Sequence, residues 1–93
     1  MIDSQEHEIL SITQEECAEV IQAISKVFRF GLDSEWEGVS NLAHLEEEVG
    51  DLKAMIHLLT ENGILDIDNV NEAAAKKLVK LQKWSNIFES KDK

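Results

Sequence analysis

Two acidic motifs, EECAE and EEVGD, lie within apolar segments whose periodicity is helical. Residues three apart project from the same side of a helix, so Glu16 pairs with Glu19 and Glu48 pairs with Asp51. Four carboxylates turned toward one another repel and resist ionisation unless a cation lies between them. Because oxygen ligands suit hard divalent cations, the two motifs predict a magnesium site.

The acidic pairs occupy the same position relative to the apolar stripe of each helix. At about 100° per residue, Glu16 and Glu48 fall at the edge of their stripes, and Glu19 and Asp51 fall just beyond. The stripes consist of Ile9, Leu10, Cys17, Val20, Ile21, Ile24, Val27 and Phe28 in the first helix and Leu42, Leu45, Val49, Leu52, Met55, Ile56 and Leu59 in the second. This repeated placement favours one shared site.

Either motif alone has a plainer interpretation. The chain has 19 Asp and Glu residues, and an E-x-x-E or E-x-x-D pattern by itself usually marks a solvated helix face. The pairing of two motifs in phase is what favours a site. Glu15, Glu46 and Glu47 project further from the stripes. We expect their side chains to face solvent or to lie next to the metal ligands.

The two motifs together resemble those of the MazG-like all-α nucleoside triphosphate pyrophosphohydrolases. This superfamily also contains dimeric dUTPases, dCTP pyrophosphatases and phosphoribosyl-ATP pyrophosphatase. Residues 14–31 and 45–59 carry the resemblance. The magnesium ligands that it implies are Glu16, Glu19, Glu48 and Asp51, with Mn²⁺ as an alternative ion. The implied reaction converts a nucleoside or deoxynucleoside triphosphate to the monophosphate and pyrophosphate, as in house-cleaning of nucleotide pools.

The resemblance also suggests roles for residues around the metal. Glu15 or Glu19 would accept a proton from the attacking water. Lys77 and Lys80 lie at and just outside the edge of the apolar stripe of the third helix, and they would bind phosphate oxygens as point charges. The alternative for these lysines is that they merely cover the rim of a core with their aliphatic stems.

Two further residues are candidates for substrate binding. Lys26 projects near Glu19 and would reach a phosphate, although a cation in the last turns of a helix also complements the helix dipole. Trp36 is the one large apolar residue between Ser34 and Ser40, in a segment of loop composition. It would either stack on a base or anchor the loop on the core.

The composition predicts an all-α fold with three main antiparallel helices in a single domain over residues 1–93. The chain has no proline and four glycines, and its periodic segments are long. The expected N-caps are Asp3 or Ser4, Ser40 or Asn41, and Asp68; the expected stops are Gly31 and Asn62-Gly63. The segment 31–40 reads as a loop, and residues 90–93 as a polar, frayed tail.

Packing considerations predict self-association. A chain of 93 residues supports only a modest core, and Leu58 and Ile87 are apolar residues off the main stripes. We therefore expect a homodimer or homotetramer with a four-helix-bundle-type core. Gly50, inside the second motif, predicts the close approach of a neighbouring helix. Cys17, in the first stripe, predicts a buried and inert thiol.

Charge and hydropathy narrow the class of function. A formal net charge of −10 argues against binding nucleic acid through its backbone. Charges interrupt every apolar stretch, so neither a signal peptide nor a membrane span is expected, and a cytoplasmic setting is predicted. Two alternatives to the triphosphate hydrolase stay open. One is a non-catalytic helical module that binds a partner helix, and the other is an enzyme that cleaves phosphoribosyl-ATP or a diphosphate.

Overall fold

The computed structural model describes residues 1–88, so the tail predicted at 90–93 lies outside the described residues. Three helices and one short hairpin follow one another along the chain. They are α1 (Ser4–Phe30), β1 (Glu35–Trp36), β2 (Val39–Ser40), α2 (Asn41–Glu61) and α3 (Ile67–Trp84). The all-α class and the three main helices are thereby confirmed.

Helix α1 begins and ends where local chemistry predicts. The Asp3 carboxylate accepts a hydrogen bond from the Glu6 amide at 2.8 Å, and the Glu6 carboxylate accepts one from the Asp3 amide at 3.0 Å. This capping box satisfies amide groups that a helix start leaves without partners. Gly31, with φ of 89°, donates its amide to the Val27 carbonyl and ends the helix.

The segment between α1 and α2, predicted as a loop, contains a two-stranded hairpin. Its antiparallel pairs are Glu35 with Ser40 and Trp36 with Val39. The two turn residues, Glu37 and Gly38, have φ of 53° and 81°. Two consecutive positive φ values are typical of the type I′ turn, whose twist matches that of the strands.

The hairpin is tied to both helices. The Asn41 side-chain amide donates to the Gly31 carbonyl at 2.9 Å, and the Asn41 backbone amide donates to the Ser34 carbonyl at 2.9 Å. Asn41 is buried, and these bonds fix the end of α1 against the start of α2. Ser40 caps α2 through its hydroxyl, which accepts from the Ala43 amide at 3.1 Å, as predicted.

Helices α1 and α2 pack against each other in antiparallel fashion. Ile9 near the start of α1 is buried with Met55 and Leu59 near the end of α2. Ile12, Ile64 and Leu65 add partly buried apolar surface to the same cluster. This pair of helices forms the main body of the chain and holds both acidic motifs.

The single apolar stripe predicted for α1 is wrong, because α1 carries two apolar faces. The inner face, toward α2, holds buried or half-buried residues: Ile9, Glu16, Val20, Ala23 and Val27. The outer face holds exposed residues: Leu10, Cys17, Ile21, Ile24 and Phe28. The predicted burial of Cys17 is therefore also wrong, since its thiol lies on the outer face and is exposed. Among residues 1–88 of one chain, no element packs over that face.

Helix α3 departs from the prediction in its start and in its packing. Its N-cap is Asp66, whose carboxylate accepts from the amides of Asp68 and Asn69 at 2.8 and 3.4 Å, so the predicted cap at Asp68 is wrong by two residues. No residue of α3 is buried. Four of its large apolar residues, Ile67, Leu78, Val79 and Trp84, are exposed in a single chain.

Gly50 does not receive a neighbouring helix within the chain. Apart from its chain neighbours and the backbone of its own helix, no atom of residues 1–88 lies within 4 Å of the place where its Cβ would be, so the predicted close approach is not made by the described residues. Gly50 follows Val49, which is 47% exposed, on the outward side of α2. Across residues 1–88, no helix is both long and apolar enough to cross a membrane.

Candidate metal centre

The packing of α1 on α2 brings three acidic side chains together. Glu16 from α1 and Glu48 and Asp51 from α2 each offer a carboxylate oxygen, and these oxygens all lie within 4.8 Å of one another. We call these three residues the carboxylate cluster. Glu16 and Glu48 are half-buried between the helices, whereas Asp51 is exposed. The cluster is therefore open to solvent on one side.

The two half-buried carboxylates resist ionisation. Partial desolvation raises the pKa of Glu16 above 4.5, and the negative charges of Asp51, Glu19 and Glu15 raise it further. The pKa of Glu48 is raised above 4.5 in the same way, by desolvation first and then by neighbouring carboxylates, with Glu19 the largest charge effect. Both effects disfavour a second and third negative charge in one place.

No basic side chain forms an ion pair with the cluster within the described part of the chain. Among residues 1–88 the ion pairs are His57 with Glu61 at 3.0 Å and Lys76 with Glu72 at 3.2 Å, and neither includes the cluster. An acidic cluster without a counter-charge costs folding free energy that a bound cation would offset.

The donor set fits magnesium. All three donors are carboxylate oxygens, which hard cations prefer. With Mg–O distances of about 2.1 Å, ligands on opposite sides of the ion lie about 4.2 Å apart. The 4.8 Å spread of the cluster is close to that span, so small side-chain rotations would bring Glu16, Glu48 and Asp51 to bonding distance.

The fourth predicted ligand, Glu19, lies outside the 4.8 Å group. It is exposed and close enough to Glu48 to raise its pKa. Glu15 is also exposed and acts on Glu16 in the same way. Both residues therefore flank the cluster, at positions from which a carboxylate can reach a water molecule or complete a coordination shell.

The predicted phosphate-binding lysines are not brought to the cluster within one chain. Lys77 and Lys80 are exposed on α3. The charges that act on Glu16 and Glu48 are all carboxylates. The physical reason is that α3 leaves the α1–α2 pair instead of folding back along it. These lysines would reach a cluster only through a different arrangement of chains.

Lys26 and Trp36 line a cavity of about 370 Å³ at the hairpin end of the helix pair, and Lys26 also lines a small cleft with Glu19 and Glu48. Sequence reasoning missed three of its lining residues, Phe30, Ser34 and Glu35. Phe30 is the last residue of α1, where the helical period no longer indicates a direction. Ser34 is positioned by the hairpin, which the composition of the segment did not indicate. His44 also lines this cavity.

The raised pKa values predict a pH-dependent stability for the metal-free protein. Because the pKa values of Glu16 and Glu48 are raised in the folded state, these carboxyl groups keep their protons to higher pH than they do in the unfolded chain. Their contribution to the free energy of unfolding therefore falls as pH rises through the folded pKa. Glu48→Gln removes one of these charges. It should accordingly raise the stability of the metal-free protein more at about pH 7 than at about pH 5.

Urea unfolding of both proteins in the presence of a chelator measures this difference. A stability difference between wild type and Glu48→Gln that is equal at the two pH values would contradict the crowding of carboxylates inferred for the site.

Comparison with known proteins adds one finding. A family model described as "MazG nucleotide pyrophosphohydrolase domain" matches residues 4–85. No match was found among curated proteins or among solved structures. The matched range includes all three helices and every residue of the carboxylate cluster.

Proposed function

Because the chain belongs to the MazG nucleotide pyrophosphohydrolase family, we propose that it is a magnesium-dependent nucleoside triphosphate pyrophosphohydrolase. In this proposal, water attacks the α-phosphorus of a nucleoside or deoxynucleoside triphosphate and the bond to the β-phosphate bridging oxygen breaks. The products are the monophosphate and pyrophosphate. The observation that carries the proposal is the carboxylate cluster, whose three oxygens lie within 4.8 Å of one another.

Glu16, Glu48 and Asp51 would hold the metal, with Glu19 as a further ligand. Bound magnesium would neutralise phosphate charge and lower the pKa of water, and Mn²⁺ has similar ligand preferences. Glu15 and Glu19 are the candidates for the general base, because they flank the cluster without belonging to its 4.8 Å group. A flanking carboxylate keeps its lone pairs free to accept a proton.

The substrate is anionic, whereas the chain has a net charge of −10. Lys26 lies closest to the cluster among the proposed phosphate contacts, since it lines a small cleft together with Glu19 and Glu48. Lys77 and Lys80 would offset the charge that develops on the leaving pyrophosphate. Because α3 does not return to its own α1–α2 pair, these two lysines would act on the site of a second copy.

Replacing Lys77 and Lys80 by alanine tests this role. We expect KM for the triphosphate to rise or kcat to fall by about tenfold, with magnesium binding unchanged, because the lysines contact phosphate and not metal. Steady-state kinetics and magnesium titration measure the two effects separately. The matched control is Lys83→Ala, a lysine later on the same helix. Unaltered kinetics in the double variant would assign both lysines to the rim of a core.

A pyrophosphate-release assay over canonical ribo- and deoxynucleoside triphosphates tests the proposed reaction. We expect release of one pyrophosphate per monophosphate, strictly dependent on a divalent cation. Release of inorganic phosphate with formation of a diphosphate would contradict the proposed position of cleavage. Activity on phosphoribosyl-ATP or a diphosphate alone would favour the related enzyme instead. A single domain over residues 1–93 and a cytoplasmic location stay predictions.

The competing class is a non-catalytic helical module that binds a partner helix. The exposed apolar residues of α3 favour this class, because a partner helix would cover them. Magnesium distinguishes the two classes. A ligand that binds only the folded state raises thermal stability, so an enzyme of the proposed type gains stability with magnesium. A module whose acidic residues are merely solvated gains almost none.

A further inference from the structure

Helix α2 ends in an asparagine that is followed by a glycine. Of the five asparagines in the chain, Asn62 alone precedes a glycine, and both residues are exposed. Such pairs are chemically labile, because glycine has no side chain to shield its backbone nitrogen from the neighbouring side-chain amide. We propose that Asn62 is a site of spontaneous deamidation, and that the C-terminal cap of α2 holds the reaction back until the cap opens. The pair lies eleven residues after Asp51, about 16 Å along the helix, so it is separate from the carboxylate cluster.

The reaction uses only the groups of this pair and water. The Gly63 backbone nitrogen attacks Cγ of Asn62. A C–N bond forms, the bond from Cγ to Nδ2 breaks, and ammonia leaves with the proton of the Gly63 amide. Water then opens the resulting five-membered succinimide ring at one of its two carbonyl carbons. Opening at Cγ gives aspartate, whereas opening at the main-chain carbonyl carbon gives isoaspartate, whose backbone runs through the side chain.

The conformation of the folded cap does not allow this ring to form. A succinimide requires the Gly63 nitrogen to eclipse Cβ of Asn62 about the bond from Cα to the carbonyl carbon. Asn62 has φ of −87° and ψ of 7°, so the Gly63 nitrogen eclipses the Asn62 nitrogen instead. A large rotation of ψ must therefore precede the attack.

Both reacting groups are also held by hydrogen bonds. The Asn62 side-chain amide donates to the Leu58 carbonyl at 2.8 Å, which directs the side chain back along α2. The Gly63 amide donates to the Thr60 carbonyl at 3.1 Å. Because the attack requires ψ to rotate and the Gly63 amide to lose its proton, this second bond must break first.

The next two residues anchor the cap to the core. The amides of Ile64 and Leu65 both donate to the Leu59 carbonyl, at 2.9 and 3.2 Å. Their side chains pack against the buried apolar residues Ile9, Met55 and Leu59. Opening the cap therefore disrupts contacts with the core as well as backbone hydrogen bonds, and only a small fraction of the folded protein is open at any time.

The cap itself accounts for the glycine. Gly63 has φ of 74°, in the left-handed region that favours glycine at helix ends. The residue type that fits the cap is thus also the one that leaves its nitrogen accessible to Asn62. The stability of the cap, and not the choice of residue, limits the reaction.

Deamidation would loosen the junction between α2 and α3. Aspartate at position 62 places a negative charge at the C-terminal end of α2, where the helix dipole disfavours it, and removes the donor to Leu58. Asn62→Asp should accordingly lower the melting temperature by roughly 5 °C. Asn71→Asp, the same change at an exposed position of α3, should shift it by less than about 2 °C. A melting temperature of Asn62→Asp equal to that of wild type would overturn the role of the amide in the cap.

Peptide mapping by mass spectrometry tests the proposal. The full chain is incubated at one mildly alkaline pH, both folded and unfolded in urea, and the deamidated fraction of Asn62 is followed with time. We expect conversion in urea and a rate at least about tenfold lower in the folded protein, because only the open fraction reacts. Asn69 and Asn71, each followed by a residue with a side chain, serve as internal controls and should change little in either state.

Leu65→Ala weakens the anchor of the cap without altering the reacting pair. It should raise the rate in the folded protein by about fivefold or more and leave the rate in urea unchanged. The matched control is Leu78→Ala, at an exposed position of α3, which should raise neither rate. Equal rates in folded and unfolded wild type, or a folded Leu65→Ala that reacts no faster than wild type, would overturn the protective role of the cap. An Asn62 that stays intact in urea would overturn the site itself.

Discussion

Glu48→Gln and Asp51→Asn are each expected to lower magnesium-dependent turnover about a thousandfold, while the protein stays folded. A metal ion contributes several kcal/mol to a transition state in which charge develops on phosphate oxygens, and each 1.36 kcal/mol is about a factor of ten in rate. The amide isosteres keep the shape of the side chain but remove the charge that binds the ion. Steady-state pyrophosphate release at saturating magnesium measures the loss.

The control for these variants is Glu46→Gln. Glu46 is exposed and lies two residues before Glu48, so it projects from another side of α2. Its replacement should leave turnover within about twofold of wild type. The metal-free forms of Glu48→Gln should be as stable as wild type or more so, because one of three crowded carboxylates is neutralised. If both cluster variants kept most of their turnover, the ligand assignment would be wrong.

The second large effect is expected on dilution, because we propose that the working unit is a homodimer or a pair of dimers. Activity per chain should fall steeply below the dissociation constant of the dimer. No side chain in the described chain is less than 2% exposed, so residues 1–88 of one copy form no fully closed core. The outer face of α1 and the apolar residues of α3 remain open, and a symmetric dimer would cover both.

Charge adds to this argument. The two interhelical acidic motifs lie on α1 and α2, whereas α3 carries Lys76, Lys77, Lys80 and Lys83. An α3 helix from a second copy would bring its lysines to the acidic motifs and its apolar residues to the outer face of α1. The site would then draw its carboxylates from one copy and its lysines from the other.

Ile21→Glu tests this arrangement, because Ile21 is 65% exposed on the outer face of α1. A buried glutamate at a dimer interface would be strongly unfavourable, so the variant should sediment as a monomer and lose activity. The control is Ile2→Glu, the same change at a position before α1 that is 48% exposed. Sedimentation equilibrium decides the point. A wild-type monomer that is folded and active at micromolar concentration would contradict the proposal.

The sequence was sufficient to predict a helix start when the capping side chain bonds to a residue three positions further along the chain. Asp3 with Glu6 and Ser40 with Ala43 are bonded as their spacing predicts. The start of α3 was missed because Asp66 and Asp68 are both good caps. Leu65 packs against the buried apolar residues Ile9, Met55 and Leu59. This tertiary contact places the start of α3 directly after Leu65.

The direction of the apolar faces could not be predicted in the same way. Adjacent apolar residues in α1, such as Ile9 with Leu10, point about 100° apart, so one broad stripe and two narrow faces give similar patterns. Only the position of α2 shows that Ile9 faces inward while Leu10 is exposed. Cys17 was assigned to the interior for the same reason. The hairpin was missed because Glu37, rather than the more usual Asn or Asp, takes the first positive φ.

The acidic residues were predictable because their spacing and their phase are both properties of the helix. Glu16, Glu48 and Asp51 came together as the sequence predicts. The separation of Glu19 from this group could not be predicted, since it depends on the rotation of α1 against α2. In the proposed dimer the place of the lysines would depend on chain assembly, which the periodicity of a single helix does not encode.

Paramagnetic broadening by Mn²⁺ tests the central claim, that the carboxylate cluster binds the catalytic cation, most directly. Trace Mn²⁺ added to nitrogen-15-labelled protein broadens amide signals close to the bound ion. We predict that broadening centres on Glu16, Glu48 and Asp51, that excess Mg²⁺ reverses it, and that Glu48→Gln abolishes it. Broadening that is centred on acidic residues away from the cluster, such as Glu61 of α2 and Glu72 of α3, or spread evenly over the exposed acidic residues, would contradict the account.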